Sequence, residues 1–222
     1  MSPLRQTISN QHILLSSQRC IFWEEEKILI LTDLHVGKSS HFRKAGIPIP
    51  QQVFQDDLNR LLQEITFFKP SKILITGDLF HSVENLEHNA FAVWMKKLST
   101  QEVILIRGNH EILTNADYEK LGLVVCEKEF TVGPFTFAHE LPFEKKLGQY
   151  YFTGHLHPGI QISGRGKQFL TLPCFYFAED YCVLPAFSKF TGLFIVDNKR
   201  GEKIFAIIGA EQSVIPLNGD LS

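Results

Sequence analysis

Three short runs constrain this chain more than any other feature: Ile28–Thr32 (ILILT), Lys72–Thr76 (KILIT) and Val103–Ile106 (VILI). Each is almost uniformly aliphatic and rich in β-branched residues, the pattern of a strand buried on both faces. The stretches between them have helical spacing. Phe54, Leu58, Leu61, Leu62 and Ile65 recur along one helix face behind Pro48 and Pro50, and Phe91, Trp94, Met95 and Leu98 form a second stripe. Alternation of strand and helix predicts parallel strands joined by crossover helices. Ligands of such sheets bind beyond the carboxyl ends of the strands. Here each end is polar: Asp33-Leu34-His35, Gly77-Asp78, and Arg107-Gly108-Asn109-His110.

The second half has a different texture. Glu127–Thr131, Phe135–His139, Tyr150–Thr153, Ile160–Ser163, Phe169–Leu172, Leu193–Val196 and Lys203–Ile208 read as short strands, punctuated by Gly133-Pro134, Gly164-Arg165-Gly166 and Asn198–Gly201. They predict a mostly antiparallel sheet packed on the first. Cys20–Trp23 adds a strand just before Ile28–Thr32. The fold class is therefore α/β with α+β character. Residues 1–222 are expected to form a single domain with a core over about 12–208 and a loose tail from Pro216. The run Phe175-Tyr176-Phe177 cannot be buried on one side of a strand by alternation, so part of it is expected at a cleft or interface.

Composition closes several doors. Lys plus Arg is 22 and Asp plus Glu is 24, a formal charge of −2, which excludes a nucleic-acid binder that works by bulk positive charge. No apolar stretch approaches the length of a membrane span, and the N-terminus lacks a secretory pattern, so a cytoplasmic protein without membrane contact is expected. The four cysteines, at 20, 126, 174 and 182, have no zinc-ribbon or redox spacing and read as reduced core residues. Neither a Gly-x-Gly-x-x-Gly after the first strand nor a P-loop is present.

The polar strand ends, with His139 and Gly154-His155-Leu156-His157, form an inventory of metal-ligand types: Asp33, His35, Asp78, Asn109, His139, His155 and His157. Seven side chains exceed the needs of one tetrahedral ion and suit two ions, which can clamp the attacking and leaving oxygens of a phosphoryl displacement. In an extended strand residues two apart face the same side, so Asp33 with His35, and His155 with His157, are expected to share a cavity. Gly77, Gly108 and Gly154 each stand just before a candidate ligand, where a missing Cβ leaves room. His110 is left over. His81, three residues beyond Asp78, is a candidate to support a ligand; His12, His41 and His88 read as ordinary surface or core residues. Among basic residues near the rim, Lys38, Arg43 and Lys44 cluster on one loop, and Arg165 follows the Gly-His-Leu-His block. All four are candidate substrate contacts.

The blocks DLH (33–35), GD (77–78), GNHE (108–111), His139 and GHLH (154–157) resemble the calcineurin-like metallophosphoesterase superfamily, with Ala138 where a glycine is common. The resemblance implies a four-layer β-sandwich flanked by helices, with a dinuclear site at the strand rim. It implies that Asp33, His35 and His157 hold one divalent ion, that Asn109, His139 and His155 hold the other, and that Asp78 bridges them. A hydroxide between the ions would attack phosphorus, Asn109 would touch a phosphate oxygen, and His110 would protonate the leaving oxygen. Manganese is the foremost expectation for the ions, with iron, zinc, nickel or cobalt as alternatives. HVGKSSHFRKAGIPIP (35–50), GDLFHS (77–82), LPCFYF (172–177) and LPAFSKFTG (184–192) are similar to the bacterial ligase-associated DNA damage response endonuclease family. That likeness implies a phosphodiesterase acting on DNA, a nuclease beside ligase and helicase repair proteins. The alternatives are a phosphodiesterase or phosphatase of small, including cyclic, nucleotides, and a non-catalytic scaffold.

Overall fold

The structure, a computed structural model, describes residues 2–38, 42–43, 46, 52–81, 86–98, 101–110, 113–164, 168–197, 201–209, 211 and 213–217. The first sheet has seven strands in chain order: β1 (Leu4–Ile8), β2 (Gln11–Ser16), β3 (Cys20–Trp23), β4 (Ile28–Leu31), β5 (Lys72–Thr76), β6 (Glu102–Ile106) and β7 (Leu123–Cys126). β1 to β4 form an antiparallel meander, and β4 to β7 run parallel. The crossovers carry α1 (Gln52–Phe68), α2 (Leu86–Met95) and the short α3 (Asn115–Lys120), as the strand–helix alternation predicts.

The aliphatic runs divide their residues between two cores. Leu29, Leu31, Ile73, Ile75, Val103 and Leu105 face the helices, where they meet Phe54, Leu58, Leu61 and Ile65 of α1 and Phe91, Trp94 and Met95 of α2. Ile28, Ile30, Leu74, Ile104 and Ile106 face the second sheet. A strand covered on both sides has no solvent face, which is why these runs show no polar alternation. Burying each such side chain contributes roughly 1.5–3 kcal/mol.

The second sheet is built from β8 (Glu129–Val132), β9 (Phe135–Ala138), β10 (Tyr150–Thr153), β11 (Pro158–Ser163), β12 (Phe169–Phe177), β13 (Tyr181–Val183), β14 (Phe194–Ile195), β15 (Lys203–Ile208) and β16 (Ser213–Leu217). Its pairings are antiparallel in the majority, but β9, β10 and β13 run parallel to one another and β14 runs parallel to β11. Parallel β9 and β10 end on the same rim, so the segments after Ala138 and Thr153 emerge side by side. β12 runs on past the expected Leu172 to Phe177. Phe175 and Phe177 point into the core between the sheets, while Tyr176 faces the other side with Ile160 and Ile204. The helices among the described residues cover the first sheet; the outer face of the second carries that small apolar cluster instead.

Residues 4–8 and 213–217 are built into the sheets, beyond the core expected from the sequence, while the rest of the expected tail, 218–222, lies outside the described residues. Leu4 and Ile8 pack on the core between the sheets, and Val214 is buried in it. Pro216 lies within β16, opposite Phe205, rather than in a loose tail. Proline is tolerated there because β16 pairs on one side only, with β15. All four cysteines are free, and three are buried. No helix among the described residues is long and apolar enough to cross a membrane.

Candidate metal centre

The candidate ligands come from the ends of both sheets. Asp33 and His35 follow β4, Asp78 follows β5, and Asn109 follows β6; His139 follows β9, and His155 and His157 follow β10. They gather into two groups. Asp33, His35 and His157 form one, and Asp78, His139 and His155 the other, each with ligand atoms within 4.8 Å of one another. Asn109 joins the second group, its Oδ1 lying 3.2 Å from His139 Nε2.

Asp33 and His35 meet in one group, whereas His155 and His157 divide between the two, and neither arrangement comes from the pleat of a strand. Thr32 to His35 and Gly154 to His157 lie outside the strands, and Asp33, His35, His155 and His157 all have positive φ, at 55°, 49°, 63° and 52°. With two left-handed residues two apart, the side chains of Asp33 and His35 reach the same group. Asp78 shares this conformation at 49°. Aspartate and histidine are among the non-glycine residues that tolerate it best. The local strain persists because backbone bonds surround it: Asp33 N–H donates to Gly77 O (3.2 Å), His35 N–H to Asp78 O (2.9 Å) and Ser188 N–H to Asp33 O (3.2 Å).

Space around the ligands is tight. A Cβ on Gly77 would fall on the His139 imidazole, one on Gly108 on the Asp78 carboxylate, and one on Gly154 on the Thr32 hydroxyl. The three glycines before ligands are thus demanded by close approach.

Two buried carboxylates organise the centre. Asp33 Oδ2 accepts from the Thr32 hydroxyl (2.7 Å) and from the His155 N–H (3.0 Å). Asp33 Oδ1 is buried without a hydrogen-bond partner, 3.3 Å from His157 Nε2 and 4.0 Å from His35 Nε2. Burial alone would raise the Asp33 pKa. Nearby His157, then His139 and His35, outweigh it and hold the carboxyl below the usual range. Burial, helped by the charge of Lys38, pushes His35 down to about 3, so its imidazole is neutral.

These atoms fit a cation. His139 Nδ1 is 3.0 Å from Thr76 O, which can only accept, so the proton sits on Nδ1. The lone pair on Nε2 then faces Asp78 Oδ1 at 3.4 Å, beside His155 Nδ1 at 3.1 Å. In the other group two imidazoles meet nitrogen to nitrogen, His35 Nε2 to His157 Nε2 at 3.4 Å, in front of the unpartnered Asp33 oxygen. Acceptors crowded on one point repel one another unless a positive charge stands between them. Nitrogen and carboxylate donors of this kind suit first-row divalent metals.

Other expected residues fall into place around the groups. His110 is exposed; its N–H donates to Asp78 Oδ1 (3.0 Å), and its ring lies 6.0 Å from that of His35. His81 sits with them, 5.2 Å from the His110 ring and 5.8 Å from the His35 ring. Lys38 is half-buried beside His35, and burial lowers its pKa against the opposing pull of Asp33 and Asp78. Arg43 is half-buried next to Phe42, whose ring meets Phe190 edge-on at 5.5 Å, and no described contact brings it to the ligands. Lys44, Arg165, His41 and Glu111 lie outside the described residues. His88 packs on Phe80, and His12 pairs with Glu25, both away from the centre.

Three sets of contributors, four residues in all, carry no sequence motif of their own. Glu140 lies 3.5 Å from His155 Nε2. Thr32 and Thr76 supply the hydroxyl and carbonyl that fix Asp33 and His139. The signal was present in part, since both aliphatic runs end in threonine directly before the polar residues. The third is Arg60 of α1. Its guanidinium donates to Asp57 Oδ1 (2.6 Å), Phe187 O (2.5 Å) and Gln18 O (2.9 Å), and it stacks on the Phe187 ring. Through Phe187 and Ser188, whose N–H groups donate to Thr32 O and Asp33 O, it braces the first ligand loop.

Residues 26–162, which contain both groups, match the family model described as calcineurin-like phosphoesterase. Among solved structures, the crystal structure of Pseudomonas putida nuclease MPE is similar at a TM-score of 0.80 and 25% identity, over 97% of this chain and 100% of that one. A phosphoesterase from E. coli, Yfce, aligns at a TM-score of 0.46 and 12% identity, over 86% of this chain and 97% of that one. No curated protein matches the chain.

Proposed function

This chain belongs to the calcineurin-like phosphoesterase family, and from that membership we propose that it is a nuclease that hydrolyses phosphodiester bonds in DNA with two divalent cations. The observation that carries the proposal is the pair of ligand groups at one rim, the first holding a buried carboxylate oxygen, Asp33 Oδ1, with no hydrogen-bond partner. Asp33, His35 and His157 would hold one ion; Asn109, His139 and His155 would hold the other, with Asp78 between them. Bound cations supply Lewis acidity, which favours an ionised water and offsets phosphate charge.

The protein's own groups do the rest. Asp33, its carboxyl held below the usual range, brings negative charge to the buried ligand shell. His139 keeps its proton on Nδ1, against Thr76 O, so Nε2 stays a donor of electrons. His110 stands exposed over the centre, and its imidazole suits proton delivery to the leaving oxygen near neutral pH. Lys38 places a cation beside His35 for a phosphate oxygen. The nuclease neighbour from Pseudomonas putida, similar along almost the whole chain, supports a nucleic-acid substrate. Manganese as the metal and a role beside ligase and helicase repair proteins rest on the sequence likeness. A cytoplasmic setting is supported by four free cysteines. We treat the chain as a single domain because both sheets share one core.

The test is a substrate panel on metal-stripped protein with and without Mn²⁺: single-stranded DNA, duplex DNA, RNA, cyclic nucleotides and phosphomonoesters. DNA should be cleaved only with the metal, and Asp78→Ala should abolish cleavage. Cleavage confined to cyclic nucleotides or phosphomonoesters would replace the DNA reading. Full activity of Asp78→Ala would remove the site assignment.

A further inference from the structure

Two cavities open on the second ligand group, and Glu140 forms part of both walls. Their chemistry differs. The smaller, of about 420 Å³, includes Asn109 and His139 with two cations, Arg107 and Lys128, set beside the carboxylates of Glu129 and Glu140. Arg107 is held in place by Asn115 and by the Tyr118 ring. The larger, of about 530 Å³, has no cation. It begins at His155 and is walled by Leu141, Leu156, Phe194 and Ile195, with Tyr176 and the carboxylate of Asp197. Four large apolar side chains around one cavity are solvent-exposed, Phe194 by 56%. Exposed apolar patches of this kind mark binding sites.

We propose that the larger cavity is a nucleobase subsite, which takes the base of the nucleotide next to the phosphate held at the metal centre. The proposal rests on the phosphodiesterase reading above and names the part of the substrate that this face recognises. Phosphate is a poor occupant: Glu140 and Asp197 would repel it, and the apolar wall offers it nothing. A base matches both features. Its π-face suits Phe194, Leu156 and Ile195, and its amino and imino N–H groups suit the two carboxylates. The volume lies in the range of small-ligand sites. The smaller cavity, on the other side of Glu140, offers Arg107 and Lys128 to backbone phosphate. A strand laid across the centre thus meets base chemistry on one side and phosphate chemistry on the other. Phe194 falls in the strand expected over Leu193–Val196, seen as β14, which pairs with β11.

The experiment uses the full chain with Mn²⁺ and a single-stranded DNA whose nucleotides are replaced, one at a time, by an abasic residue. In the native protein one position beside the cleaved bond should raise KM by roughly ten-fold, the scale of a lost base stack. Phe194→Ala should raise KM for the unmodified strand by a similar factor, and combining the two should add little more. Phe169→Ala, an equally exposed aromatic at the far end of β11's pairing with β12, is the control and should change neither. Unchanged KM in Phe194→Ala, or losses that multiply, would overturn the subsite. Calorimetry separates this from failure of the nuclease reading. Should no nucleic acid be cleaved, adenosine 5′-monophosphate must still bind more tightly than inorganic phosphate, with the margin lost in Phe194→Ala. Equal binding of the two would overturn the proposal. Tighter nucleotide binding with Phe194-dependent cleavage of a nucleoside p-nitrophenyl ester, but of no strand, would assign the base to a small nucleotide.

Discussion

Thr32→Val tests how the centre is held. Thr32 is fully buried, and its hydroxyl donates to Asp33 Oδ2 at 2.7 Å. Valine keeps the shape and removes only the donor. Thr76 O, 2.9 Å from the same hydroxyl, keeps His139 Nδ1 as a partner, and Oδ2 keeps the His155 N–H. The loss is therefore one hydrogen bond to a charged group, about 1.5–3 kcal/mol, at the low end because a second donor survives. Urea unfolding of metal-free protein at pH 7 should show it. The sign with pH follows from the depressed Asp33 pKa. A carboxylate held below its unfolded value stabilises the fold above that value and loses the contribution as pH falls through its folded value. The difference between Thr32→Val and the native protein should then be complete near neutrality and fade in acid below the normal aspartate range. Mn²⁺ affinity should fall by about 10–100-fold, the usual effect of removing a group that orients a ligand. Thr32→Ser, which keeps the hydroxyl, should restore affinity while losing stability for the missing methyl. Native metal affinity in Thr32→Val, or a stability loss that persists unchanged in acid, would refute the reasoning.

Three further outcomes follow from the same geometry. His110→Ala should lower kcat by about 10²–10⁴-fold with metal content unchanged, since its side chain stands over the centre without belonging to either ligand group; metal loss in that variant would make it a ligand. Lys38→Ala should raise KM for DNA and flatten the dependence of binding on salt by about one phosphate contact, read from binding isotherms at several ionic strengths. Arg60→Met leaves Asp57 buried and uncompensated, so it should destabilise the protein by about 3–5 kcal/mol in denaturant titrations, with Arg60→Met/Asp57→Leu recovering most of that.

The parts of the fold that were legible are those whose residues had no choice of face. β4, β5 and β6 alternate between two apolar layers, so their sequences are apolar throughout, and helices α1 and α2 carry apolar stripes that fit them. β1 and β2 were missed because β1 is an edge strand and both carry polar, half-buried or exposed residues that mask the apolar pattern. The direction of β9, β10 and β13 was not legible either. A four-residue strand looks the same whichever way its neighbour runs, and pairing is decided by the loops that return the chain. The ligand set was legible because metal-binding side chains stood together at strand ends. How they converge was not: the strand pleat was a sound argument applied one residue too late, where the chain had already turned left-handed. Glu140 and Arg60 escaped notice because a single acidic or basic residue has many ordinary uses in a sequence, and only position reveals a special one.

Each ligand group draws on both sheets, and this ties the chemistry to the fold. Asp33 and His35 come from the first sheet and His157 from the second; Asp78 comes from the first, and His139 and His155 from the second. The bonds that support them cross the same boundary. His155 N–H reaches Asp33, and His139 Nδ1–H reaches Thr76 O. The core between the sheets is made of side chains that do not fix the relative position of two loops at its rim to better than their own packing tolerates. A dinuclear centre needs that position fixed, because a small displacement of one reacting group lowers the rate steeply. Hydrogen bonds across the seam supply part of the restraint, and cations gripped by both sheets would supply the rest. Metal bound only to the folded arrangement would stabilise the fold by mass action, about 2.7 kcal/mol for each site at a hundred times its Kd. The left-handed ligand residues store strain of order 1–3 kcal/mol each in the same place. Strain and acceptor crowding therefore accumulate where a cation can relieve them, at the ends of strands that are themselves buried.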